Sequence, residues 1–303
     1  MNTKRLEAFL AIVRSGSFAA ASEQLSMTQG AVSLRIRELE SELGVAVFDR
    51  SRRHVALTAA GRSLVPYAEA VIASVNALRS AFGGAEAMAG TVRLGVTELV
   101  AVTWLPRLVD ALQTRFPRLT LDMEVGLAGP LIERTLSGVV DVALTPGTSF
   151  PSDLDAVSLG TVEMCWMAAP RLLAAGWRWD DPGPAAPPVL LLAEHSFINS
   201  LADAWFRARQ IAPRRIDTCN SMNVLAALTA AGLGVTLLPT FPFGPELESG
   251  ALAIVEPETC IRATFFAAYR RNDLNPTAQI VAGIAREAST FPQAGSPKDA
   301  RAR

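Results

Sequence analysis

The feature that most constrains this chain is a pair of short helix signatures separated by only three residues near its start. Ser17 can cap a helix that runs to about Leu25, and Ser26-Met27-Thr28 makes a tight turn in which Thr28 caps the next helix. Beyond the turn, Val32, Ile36, Leu39 and Leu43 recur at spacings of four, three and four, an inward face that Gly44 terminates. An earlier helix over residues 3–15 carries Leu6, Phe9, Leu10 and Val13 on one stripe and stops at Ser15-Gly16. Two helices joined by so short a turn fit a helix-turn-helix, and the outward face of the second is polar and basic.

After Gly44, the β-prone stretches Val45–Val47 and Val55–Leu57 flank Arg50-Ser51-Arg52-Arg53-His54, which predicts a hairpin-like wing rich in arginine. A new helix starts at Thr58, with Leu64, Ala68, Val71, Val75, Leu78 and Phe82 alternating at spacings of four and three. Such a seam pairs with a second subunit, or the helix packs on its own domain; the length of the seam favours pairing. Gly83-Gly84 ends the helix and Ala85–Gly90 reads as a small-residue hinge.

From residue 91 strand and helix patterns alternate: Val92 to Val96, a helix from about Ala101 to Phe116, Leu119–Val125, a helix from Pro130 to Ser137, and Val139–Leu144. A second set follows: Val189–Ala193, a helix near Leu201–Gln210, Ile216–Cys219, a helix from Met222 to Ala231, and Val235–Leu238. The rhythm is βαβ, so two largely parallel sheets are expected, forming two lobes with a cleft between them. A chain of 303 residues also exceeds what one core organises. The domains expected are 1–58, a linker helix and hinge over 59–90, and 91–290, whose first lobe spans about 91–162 and 265–290 and second about 163–264. The proline-rich stretch 182–188 reads as an exposed loop, and residues 291–303 as a disordered tail.

Half of the residues are apolar, which suits packed domains. The longest apolar stretches, 164–176 and 223–239, are interrupted by Pro170 and Arg171 and by Asn223, Gly232 and Gly234, so no membrane span is expected. The start runs directly into an amphipathic pattern without a cleavage site, and a cytoplasmic protein is expected. Cys165, Cys219 and Cys260 are odd in number and far apart, which disfavours a disulfide framework or zinc site; they read as small half-buried residues, with a redox-sensing pair as the alternative. Residues 1–58 hold eight Lys and Arg against six Asp and Glu although the whole chain sums to −1, an asymmetry of the sign a DNA reader needs. Two histidines, with no P-loop, GxGxxG, Ser-His-Asp elbow or ligand cluster, leave an enzyme unsupported, and no cofactor or metal is expected.

The run Ser17-Phe18-Ala19-Ala20-Ala21, Leu25, Met27-Thr28-Gln29, Ala31-Val32-Ser33, Ile36, Leu39-Glu40, Leu43-Gly44, Phe48-Asp49-Arg50 and Leu57-Thr58 with Gly61 resembles the LysR-type transcription regulators. Later segments agree, among them Gly95-Val96-Thr97, Arg115-Phe116-Pro117, Asp141-Val142-Ala143-Leu144 and Ala230-Ala231-Gly232-Leu233-Gly234, so the resemblance spans roughly residues 3–290. It departs at Gly30, where the family usually has proline or serine, and at Leu34, where it has a basic residue. The resemblance implies a mixed architecture: a winged helix-turn-helix, a long linker helix, and a two-lobed α/β module like the periplasmic binding proteins, with a small effector between the lobes. Implied partners are double-stranded DNA, an organic-acid or amino-acid-like effector, and further copies in a dimer or tetramer, with RNA polymerase left open.

Within that frame Gln29 can pair bidentately with adenine, and Arg35 or Arg37 can reach guanine or phosphate. Ser17, Phe18, Thr28, Gly30, Ser33 and Leu34 complete the expected helix-turn-helix contacts, and Arg50, Arg52 and Arg53 approach the phosphate backbone. The dimer interface expected is Leu64, Ala68, Val71, Val75, Leu78 and Phe82. Residues at strand ends and helix starts, namely Thr97, Glu98, Thr103, Thr145, Pro146, His195, Ser196, Asn220 and Ser221, are expected to converge where amides and helix dipoles favour a carboxylate. Glu98 would then repel a plain anion, so either it turns to solvent or the effector also carries an amine or donors. The competing function is a solute-binding protein of the same two-lobed fold, which would have no use for residues 1–58.

Overall fold

The computed structural model describes residues 2–25, 27–49, 55–83, 88–179, 186–194, 196–271 and 276–293. The chain divides into a unit of Met1–Met88 and a larger one that begins at Ala89.

In the first unit the local caps act as the sequence dictates. Helix α1 (Thr3–Ser15), α2 (Phe18–Gln24) and α3 (Gln29–Leu43) start at Asn2, Ser17 and Thr28, whose side chains accept hydrogen bonds from the amides of Lys4, Ala20 and Ala31. Each such cap contributes about 1 kcal/mol. Gly44 ends α3 with φ at 70°, a left-handed turn that glycine adopts without strain. Strands β1 (Phe48–Asp49) and β2 (Ala56–Leu57) pair antiparallel, and α4 spans Ala59–Gly83. The first wing strand lies later than Val45–Val47, because the Glu40 carboxylate takes the Val47 amide at 2.9 Å. Leu6, Phe9, Ile12, Val32, Ile36, Leu39, Val47 and Phe48 form the core, with the rings of Phe9 and Phe18 set 5.5 and 5.6 Å from Phe48.

The larger unit opens with β3 (Gly90–Val96), α5 (Glu98–Thr103), α6 (Leu105–Arg115), β4 (Leu119–Val125), α7 (Ala128–Leu136) and β5 (Val142–Pro146). The single helix expected over 101–116 is two helices, broken at the fully buried Trp104 ahead of Pro106. Next come β6 (Leu154–Ala168), α8 (Pro170–Ala174), β7 (Val189–Leu192), α9 (Phe197–Arg209), β8 (Ile216–Cys219), α10 (Met222–Ala230) and β9 (Val235–Pro239). The order ends with α11 (Gly244–Glu248), β10 (Ala253–Ile254), β11 (Ile261–Arg270) and α12 (Thr277–Ala288).

Two parallel half-sheets were expected, and both exist: β3 pairs parallel with β4 and β5, and β7 with β8 and β9. They are not separate. Strands β6 and β11 join them in one sheet of order β4-β3-β5-β11-β6-β9-β7-β8, with β10 on the end of β6. Both strands escape sequence inspection because their alternation is only partial: β6 is buried without a break over Met164–Ala168, and β11 over Ala267–Tyr269. One lobe holds β4, β3 and β5 with α5–α7 and α12, the other β9, β7 and β8 with α8–α10, and β6 and β11 serve both. Arg93 forks onto Asp141 at 2.8 and 3.1 Å, tying β3 to the start of β5. The second lobe is packed around Trp166, Trp177, Trp179, Trp205 and Phe206, whose neighbouring rings lie 4.8–5.5 Å apart, with the Arg209 guanidinium over Trp205.

Two expectations are corrected here. Residues 291–293 are not disordered: Phe291 is buried against Trp104 and Phe265, the Pro292 carbonyl accepts from the Thr161 amide at 2.8 Å, and Gln293 donates to the Leu159 carbonyl. Gly160, at φ 115°, admits this segment, since a Cβ there would lie 2.7 Å from two of its carbonyl oxygens. Residues 294–303 lie outside the described residues. The cysteines are not three separate half-buried side chains: Cys165 of β6 and Cys260, just before β11, form a disulfide, and Cys219 alone is free. Antiparallel pairing sets Met164 opposite Ile261, which brings these cysteines side by side across a gap of 95 residues that spacing could not reveal.

Closing so long a loop restricts the unfolded chain, so Cys260→Ser should cost about 2–4 kcal/mol, a fall in melting temperature on the order of 10 °C. Calorimetry of both proteins with and without a thiol reductant checks this; the wild type should fall to the variant's melting temperature on reduction.

Candidate functional site

Helix α3 lies with Val32, Ile36 and Leu39 in the core, so the opposite side is left for a partner. Gln29, Ser33 and Arg37 follow one another at i, i+4 and i+8, which stacks them in a row on that side. Gln29, Gly30, Leu34 and Arg37 are exposed and Ser33 is half-buried, with Thr28 exposed at the cap. Around Gly30 a Cβ would meet nothing within 4 Å, and Leu34 is 52% exposed, so the two departures from the family pattern sit on the open face. The row offers an amide, a hydroxyl and a guanidinium at major-groove dimensions.

Other expected contacts point elsewhere. Phe18 packs on Phe48, and Ser17 is occupied as the α2 cap. Arg35 reaches back to the Lys4 carbonyl of α1, away from the row. Arg50, Arg52 and Arg53 lie outside the described residues.

The helix expected to pair subunits is used first by its own domain. Ala68 is 1% exposed within the core of this unit, and Leu64, Val65, Val71 and Ile72 pack against it. Ala68 therefore belongs to the core of its own unit, while Leu64 and Val71 pack beside it and stay half-buried. Val75 is half-buried, and the side chains of Leu78 and Phe82 lie outside the described residues.

In the larger unit the expected effector residues divide into two groups. Thr103 bonds back to the Leu99 carbonyl within α5, Thr145 and Pro146 are buried in β5, Ser196 is a buried cap of α9, and Asn220 is exposed. Thr103, Thr145 and Ser196 thus have partners in or beside their own elements; His195 lies outside the described residues. Thr97, whose hydroxyl donates to the Leu144 carbonyl, leads into Glu98, and Glu98 crosses to the other lobe. Its Oε1 accepts from Ser221 Oγ and Asn223 Nδ2, both at 2.9 Å, and its Oε2 accepts from the Met222 amide. All these donors sit on the first turn of α10, which has no acidic residue of its own there. Glu98 is thus half-buried and paired across the lobes. Asn223 was missed in the sequence; its one signal is its place four residues after the end of β8, in a helix start without an acid.

An exposed row of amide, hydroxyl and guanidinium on a capped helix thus shares one chain with a two-lobed α/β module in which a carboxylate is held at a helix start. Residues 3–62 match the family of bacterial regulatory helix-turn-helix proteins of the LysR type, and residues 85–290 match the LysR substrate binding domain. The chain belongs to the LysR-type transcription regulators, a family of regulators and not of enzymes. It is 26% identical over 239 residues to the regulator CzcR of Bacillus anthracis, covering 79% of this chain and 80% of that protein. It is 30% identical over 250 residues to ShiR of Corynebacterium glutamicum, covering 78% and 82%. Among solved structures, ArgP of Mycobacterium tuberculosis is similar over 96% of this chain and 98% of its own with a TM-score of 0.67 at 21% identity. Full-length LysG of Corynebacterium glutamicum with bound arginine is similar over 95% and 98% with a TM-score of 0.60 at 23% identity.

A charge placed at Ala68 would be buried in the first unit without a partner, at several kcal/mol. Ala68→Asp should therefore abolish the melting transition of that unit, read by circular dichroism, rather than yield folded monomers. A folded, dissociated variant in sedimentation would put Ala68 at a subunit interface instead.

Proposed function

We propose that α3 reads operator DNA through Gln29, Ser33 and Arg37, and that the two-lobed module senses a small carboxylate-bearing effector, an organic acid or amino-acid-like compound. The observation that carries the effector class is the set of donors on α10, whose Ser221 hydroxyl, Asn223 amide and Met222 N–H gather round a carboxylate, here that of Glu98. Chemistry that holds one carboxylate suits another. The match of residues 3–62 to a DNA-binding family speaks against a solute-binding protein lacking DNA function. We further infer a cytoplasmic homodimer joined through the part of α4 beyond Val71, with tetramers and contact to RNA polymerase following from the family resemblance.

For the DNA reading, Gln29→Ala should lose about 1–3 kcal/mol of discrimination at one base pair per half-site, while Arg37→Ala should weaken all sequences alike and flatten the salt slope by about 0.9. Fluorescence anisotropy on operator variants at several salt concentrations separates the two effects. Equal weakening of all variants by Gln29→Ala would reduce it to a positioning contact.

For the effector reading, titration calorimetry of the full chain against a panel of small metabolites should find binders that carry a carboxylate, and Asn223→Ala should weaken each about tenfold, or 1.4 kcal/mol. Binders without a carboxylate, indifferent to Asn223, would refute the class.

A further inference from the structure

Glu98 lies at the first position of α5, where a carboxylate ordinarily serves its own helix. Here it leaves that role and spans the lobes: Thr97 makes no side-chain cap bond to α5, and the Glu98 oxygens are saturated by Ser221, Met222 and Asn223, more than 120 residues away. The Ser221 hydroxyl is engaged at both ends, donating to Glu98 and accepting from the Val224 amide at 3.3 Å. The first turn of α10 lacks an acid of its own, so this carboxylate, supplied from the other lobe, is the anion that complements its dipole.

We propose that Glu98 is a tethered occupant of the carboxylate seat on α10, a clasp between the lobes that an incoming effector must displace. The inference rests on the effector reading above. A tethered group competes at an effective concentration in the millimolar range or higher, so weak monovalent anions are excluded and only a ligand with further contacts gains the seat. Displacement has a second consequence. It frees a carboxylate beside the bound ligand, and two like charges about 4 Å apart repel unless a cation or donors lie between them. The clasp therefore selects ligands that pair an acid with an amine or hydrogen-bond donors over plain acids. Glu98 is in this sense a specificity-determining residue, and the state with Glu98 seated is the unliganded one.

Acetate, which reproduces the lost side-chain group, is the probe. In the full-length chain, Glu98→Ala should bind acetate saturably and at least tenfold more tightly than the wild type by titration calorimetry. Adding Asn223→Ala should remove that gain. A folded Glu98→Ala protein with wild-type acetate affinity overturns the clasp, even if carboxylate metabolites bind the wild type, so its failure is distinct from failure of the effector class. Should Glu98→Ala not fold, Glu98→Gln keeps the shape and weakens the acceptor. Hydrogen exchange at the Met222 and Asn223 amides should then quicken about tenfold, and unchanged protection would equally overturn the proposal.

Discussion

The ladder between β6 and β11 is the interaction on which the larger unit depends. Residues Ile261 to Arg270 pair with Met164 back to Leu154, and without these two strands the parallel halves would be separate βα units with open edges. The ladder is reinforced along its length. The disulfide fastens one end, and the segment Phe291–Gln293 bonds to the middle near Gly160, where one residue of β6, Leu159, is extra relative to β11. Such an irregularity raises local twist. Because the lobes share hydrogen-bonded strands rather than a loose linker, their relative motion is confined to twisting and bending of this pair, and contacts between residues such as Glu98 and Ser221 report on it directly.

What could be read from the sequence follows the distance over which the causes act. The helices α1 to α4 were legible to within a residue or two because caps at Ser17 and Thr28, a stop at Gly44 and a stripe of apolar residues are all local. The parallel strands β3, β4, β7, β8 and β9 were legible for the same reason, being short apolar runs between turn residues. The strands β6 and β11 were not: in Ile-Arg-Ala-Thr-Phe-Phe-Ala-Ala-Tyr-Arg the alternation lasts only to Phe265 and then gives way to a run of apolar residues, and its burial is decided by partners about a hundred residues away.

The sites divide in the same way. Gln29, Ser33 and Arg37 share a face because helical geometry alone puts them there. Phe18 and Arg35 belong to the same motif, but packing on Phe48 and a bond to α1 turn them from it, and neither is encoded nearby. Glu98 was expected near the junction of the lobes, and it bonds across it. Its true partner was hidden because a carboxylate at a helix start reads as serving that helix, and only the sheet order brings α10 across from α5. The alternatives of a Glu98 turned to solvent and one facing an amine or donor of the effector both assumed that no protein group would claim it.

The tryptophans of this chain have an optical consequence. Four of the five touch ring to ring in the lobe that carries α10, and the fifth stands on Phe291 in the other. Excitation of any member of the quartet is shared among its neighbours before emission, so ultraviolet fluorescence comes from two populations of unequal weight, one in each lobe. The packing of each lobe around its own indoles thereby has a separate optical signature within one chain.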